Sequence, residues 1–311
     1  VLQGGGQKFR ASLQMGKHTT SIDINFEEPW WYDREIAVGT NLFLHKTDYD
    51  KKLRDYSGAN YNESRVGWET YVRKRIYGLW EGRLTYGLED VKIYNISVSA
   101  PKCFFEKEGH TTISRLSFAV ERDSRNNFIY PTSGSKVSVE TQLAGGPLGG
   151  KAKFCKMETF AAKYWLVSET AEQVFSLTAM AGSIVPFGRT ETPFFERFYL
   201  GGSGMMKGFK SHEVGPSDGG TGIGGNTFSY GAAEYCVKLA EPLRFCLFAE
   251  VGFVNEKKWN FSPKRYNADL GFGFKISILG MPLRLDFGFP VRGDGTNKHG
   301  MRFNYSFGVS F

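Results

Sequence analysis

The last eleven residues alternate without a single error. Met301, Phe303, Tyr305, Phe307, Val309 and Phe311 fall on one face, and Arg302, Asn304, Ser306, Gly308 and Ser310 on the other. Successive side chains of a β-strand point to opposite faces, so this segment is a strand with one wholly apolar side. A half-buried strand of a soluble sheet alternates in the same way. Six large apolar residues on one face, ending in an aromatic at the terminus, fit a strand facing lipid better.

The same period recurs upstream. Phe9, Ala11, Leu13 and Met15 oppose Lys8, Arg10, Ser12 and Gln14; Ala268, Leu270, Phe272, Phe274 and Ile276 oppose Asp269, Gly271, Gly273 and Lys275. The polar faces carry full charges and glycines, which a dry sandwich core rejects and a watery lumen accepts. Fourteen strands are expected, at 7–16, 19–29, 35–46, 64–76, 79–92, 111–122, 135–144, 151–167, 173–185, 226–239, 243–254, 265–278, 282–290 and 301–311. Mean hydropathy is −0.33, and no apolar run approaches the ~18 residues of a membrane helix. That excludes transmembrane helices but not a barrel, which turns only alternate side chains to lipid. The fold class expected is therefore all-β, an antiparallel transmembrane β-barrel, with residues 1–311 forming one barrel domain.

The connections alternate in length. Counted back from the C-terminus, Ala240–Pro242, Leu279–Met281, Ser168–Glu172 and Trp30–Arg34 are short, whereas 47–63, 93–110, 186–225, 255–264 and 291–300 are long. Outer-membrane barrels have short periplasmic turns and longer outer loops; Lys17–His18 and 123–134 break that rule. No secretory signal opens the chain, which fits a mature or shortened sequence and leaves a cytoplasmic one open. The net charge of +7 is spread through alternating segments rather than gathered on one basic stripe, which argues against nucleic acid. Four cysteines without CxxC spacing and five scattered histidines give no metal site. No cofactor is expected, and no nucleophile or acid–base constellation marks an enzyme.

A turn centred on Glu241 sets the register of the hairpin around it. Glu234 then lies opposite Phe248 and diagonal to Glu250, with ~7–8 Å between diagonal neighbours. Both carboxylates alternate with apolar outward residues and so point into the lumen, where two acids favour a cation between them. The same register sets Cys236 opposite Cys246. A bridge is conceivable in an oxidising compartment, but adjacent-strand geometry is usually strained, so two free thiols are the favoured reading.

The longest connection reads TPFFERFYLGGSGMMKGFKSHEVGP from Thr192 to Pro216. Its F-x-x-F-x-x-G-G segment, its Met206-Lys207-Gly208-Phe209 segment and its G-P resemble the BamA-like superfamily of outer-membrane assembly factors. The family motif there is V-R-G-F/Y. RDSRNNFIYPTSGSK at 122–136, NFEEPWW at 25–31 and the terminal Phe311 add to the resemblance, which covers essentially the whole chain. Lys207 replaces the motif's Arg, a point charge in place of a rigid fork.

The resemblance implies a sixteen-stranded barrel behind periplasmic POTRA domains. Leu2-Gln3-Gly4-Gly5-Gly6 is similar to the turn after the second strand, so the first two strands and the POTRA domains are expected to be missing here. It further implies that the loop folds into the lumen and pairs Lys207 with Glu234 and Glu250; the alternative leaves Lys207 in solvent and the acids on lumenal Arg or Lys. The function implied is insertion of unfolded outer-membrane proteins into the bacterial outer membrane, with lipids and accessory lipoproteins as further partners. A seam beside the C-terminal strand would open for this, at Phe303, Tyr305, Phe307, Gly308 and Phe311. A polypeptide-exporting pore of the same superfamily and a passive porin are the alternatives.

Overall fold

The computed structural model describes residues 6–16, 18–49, 60–188, 190–278, 281–294 and 300–307. The expected Leu2–Gly5 turn and the seam residues Gly308 and Phe311 lie outside the described residues. The strands are β1 (Lys8–Met15), β2 (Thr19–Glu28), β3 (Ile36–Tyr49), β4 (Tyr61–Tyr77), β5 (Trp80–Tyr94), β6 (Gly109–Asp123), β7 (Gly134–Ala144), β8 (Phe154–Ser168) and β9 (Gln173–Pro186). Two short strands, β10 (Ser217–Asp218) and β11 (Thr221–Gly222), follow. The sheet resumes with β12 (Thr227–Ala240), β13 (Leu243–Asn255), β14 (Asn267–Ile278), β15 (Met281–Arg292) and β16 (Arg302–Phe307).

Fourteen of these form one antiparallel sheet in chain order, β1 to β9 followed by β12 to β16, while β10 and β11 pair only with each other. This up-and-down order is that of a transmembrane barrel. Among the described residues β1 pairs only with β2, and β16 pairs only with β15. The outer face exposes Leu42, Trp68, Leu84, Phe118, Leu247 and Leu270, the apolar band that a hydrocarbon environment requires. Among the described residues no helix is long and apolar enough to cross a membrane.

Period two located every strand of the sheet. Phe154, rather than 151, opens β8, because Gly149 and Gly150 hold positive φ after a 3-10 turn and delay the extended run. The expectation of a watery lumen needs a larger correction. At the loop ends of the strands the inward residues are apolar, and Val91, Ile93, Ile113, Phe154, Ile184, Phe228 and Val254 form a buried cluster. The connection between β9 and β12 fills that space with Phe194, Phe198, Leu200, Met206, Phe209 and Val214. Burying each such side chain contributes about 1.5–3 kcal/mol, so apolar packing draws this loop inward.

The turn end of the lumen stays polar. A cavity of about 580 Å³ lies there against β2 and β4 to β7, lined in part by Glu27, Glu69, Arg73, Arg83, Glu121 and Glu140.

Candidate functional site: the lumenal loop and its anchor

The hairpin of β12 and β13 takes the expected register, with Glu234 opposite Phe248 and Cys236 opposite Cys246. Gly208, between Lys207 and Phe209, has no side chain, which lets the loop tip lie flat on the barrel wall. A Cβ at Gly208 would lie 2.6 Å from Asp269 Cβ, and one at Gly288 would lie 2.6 Å from the Gly208 nitrogen. Two glycines on opposite sides of this contact therefore bring main chain against main chain.

Lys207 is almost wholly enclosed, with its side chain 7% exposed beside a Glu250 side chain at 0%. Its ammonium donates to Glu250 Oε1 at 2.5 Å, and its own backbone N–H donates to Glu250 Oε2 at 2.6 Å. The Tyr230 hydroxyl donates to Oε1 as well, at 2.6 Å. Beneath the ammonium lies the Phe248 ring, its centroid 4.5 Å away. Gly208 N–H donates to Asp269 Oδ2 at 2.6 Å, and the Asn304 amide donates to the Lys207 carbonyl at 2.8 Å.

Glu234 was expected beside Lys207 and is not bonded to it. Its two oxygens are taken by Lys275 and Arg284, lumenal cations of β14 and β15. Lys207 lies instead over the ring of Phe248, the residue directly opposite Glu234 on β13. Asp269 was missed as an anchor, although the alternation of its strand already turned it inward. It sits directly opposite Glu250 in the β13–β14 register.

The free-thiol reading of Cys236 and Cys246 is also corrected: the two form a disulfide, with Cα atoms 4.1 Å apart. Direct cross-strand opposition on one inward face brings the two sulfurs together. Cys103 and Cys155 are free. Of the expected seam residues, Phe303, Tyr305 and Phe307 face outward and are exposed.

A second anchor holds the start of the loop. Glu196 is buried, and Arg65 Nη1 donates to it at 3.2 Å while Arg65 Nη2 donates to the Phe195 carbonyl at 3.1 Å. Burial pushes the Glu196 carboxyl up, but Arg65, Arg115 and Lys156 outweigh it and hold the group below its ordinary value. Farther along, His212 stacks on Tyr199 with centroids 4.0 Å apart, and burial pulls its imidazole down to about 4. Replacing a buried ion pair by apolar groups is often neutral or stabilising. The apolar cluster therefore supplies most of the attraction, and the ion pairs fix where the loop sits.

Comparison with known proteins agrees with this geometry. The Omp85 superfamily domain matches residues 2–311. The outer membrane protein assembly factor BamA of Nitratidesulfovibrio vulgaris is 25% identical over 323 residues, covering 98% of this chain and 38% of that protein. The sorting and assembly machinery component 50 homolog of Bos taurus is 28% identical over 248 residues, 78% of this chain and 49% of that protein. This chain thus spans less than half the length of either relative. In fold, BamA of Haemophilus ducreyi lacking POTRA domains 1–3 superposes with a TM-score of 0.83 at 18% identity, over 99% of this chain and 65% of that one. CdiB from Acinetobacter baumannii gives 0.60 at 13% identity, over 98% of this chain and 53% of that one. With its sheet order, its inward loop and a family match along nearly its whole length, the chain belongs to the Omp85 superfamily.

Proposed function

We propose that this chain is the barrel part of an insertase that folds and inserts β-barrel proteins into the bacterial outer membrane, working through a lateral seam at the C-terminal strand. In this reading the chain continues a longer protein with POTRA domains ahead of it, and accessory lipoproteins join the assembly. The bacterial assembly factor matches over 98% of this chain and the sorting and assembly machinery relative of Bos taurus over 78%, which favours a bacterial membrane.

The observation that carries the proposal is the family match along nearly the whole chain, together with a loop tip anchored on β13, β14 and β16, the last of which flanks the proposed seam. An unpaired edge templates an incoming strand through backbone hydrogen bonds. The work is done by main-chain pairing and by burial of the client in lipid, with no covalent step and no cofactor. Lys207 and Glu250 hold the loop against the wall, keeping barrel shape rather than touching clients.

The test is reconstitution of the full-length protein in liposomes with a urea-unfolded outer-membrane protein as client, following client folding and ion conductance together. Faster client folding supports the insertase. Steady conductance without faster folding would replace it by an exporting pore or a porin.

A further inference from the structure

We infer that Asn304 is the residue that ties the seam strand to the loop, and so positions the edge that receives a client. Four neighbouring strands each contribute one residue to the two-residue tip Lys207-Gly208. Glu250 of β13 takes the Lys207 ammonium and N–H, and Asp269 of β14 takes the Gly208 N–H. Gly288 of β15 gives the tip room: a Cβ there would lie 2.6 Å from the carbonyl oxygen of Lys207. Asn304 of β16 donates its amide to that same carbonyl at 2.8 Å.

Asn304 differs from its neighbours on β16. At 8% exposure it is the buried residue of Arg302–Phe307, while Phe303, Tyr305 and Phe307 are exposed. The acceptor is a backbone carbonyl, so only the side-chain NH₂ can satisfy it, which fixes the orientation of the amide. Besides its ladder with β15, this bond fastens β16 to the barrel interior. When the tip is docked, β16 is held flush against the wall. When the tip lifts, Lys207 takes its carbonyl away and β16 loses this tie to the interior.

The inference deepens the insertase reading and rests on it for its purpose, but its geometry can be tested separately. Asn304→Leu keeps nearly the same size and removes the donor without setting a second carboxylate opposite Asp286, while Asn304→Gln keeps the donor on a longer arm. Hydrogen–deuterium exchange of the full-length protein in liposomes reads the opening of each strand. Losing this bond and stranding a buried carbonyl should raise exchange of the Arg302–Phe307 amides roughly tenfold. The amides of β12 and β13 should not change, and Asn304→Gln should restore most of the protection. Unchanged exchange in β16, or equal loosening of all strands, would overturn the proposal. Client folding measured on the same samples separates the two readings. Selective loosening of β16 in a protein that does not accelerate folding at all would leave the tie standing and remove the insertase.

Discussion

A lysine serves where the family motif has arginine, and the surroundings of Glu250 explain why. Oε2 accepts from the Lys207 backbone N–H, and Oε1 accepts from both the Lys207 ammonium and the Tyr230 hydroxyl, so a point charge completes the set around this carboxylate. Glu250→Gln should leave the buried ammonium without its counter-charge, at a cost of about 3–5 kcal/mol, visible as a lower temperature of heat-modified mobility on gels. Lys207→Ala is expected to lower that temperature or slow client insertion; unchanged values of both would remove its locking role. Gly288→Ala should force the tip off the wall and cost about 1–3 kcal/mol by overpacking. Alternation alone made the lumenal position of Glu234 and Glu250 legible. It could not rank the cations, because Lys275 and Arg284 reach Glu234 across strands whose relative register no single hairpin defines.

Among the elements, the strands were the most legible and the loop the least. A strand declares itself by a local period, whereas the inward fold of 190–226 depends on apolar partners spread over eight strands. The β12–β13 hairpin carries the disulfide, so alkylation of denatured, unreduced protein should modify Cys103 and Cys155 and spare Cys236 and Cys246. Modification of all four by mass spectrometry would contradict the bridge. The loop also predicts a pH response. The docked His212 stays neutral down to about 4, whereas a freed imidazole protonates from its ordinary 6.5. Docking is therefore complete above 6.5 and weakens as pH falls toward 4. Glu196, held below its ordinary 4.5, adds stability that is likewise lost on acidification below that value. Limited proteolysis of the loop should thus be faster at pH 5 than at pH 7.5, and His212→Phe should flatten the difference.

At the scale of the whole molecule, two features set the order in which the barrel can be assembled. All sheet neighbours are consecutive strands of the chain except β9 and β12, which flank the loop. Such local pairing closes at low entropic cost and favours rapid formation. The loop tip cannot follow that rhythm. Its first acceptor, Glu250, lies 43 residues after Lys207, and its last partner, Asn304, lies 97 residues after it. Hairpins can therefore form one after another as the chain emerges, while the tip waits for all four of its strands. Asn304 completes the set, so the tip is fully held only once β16 is in place.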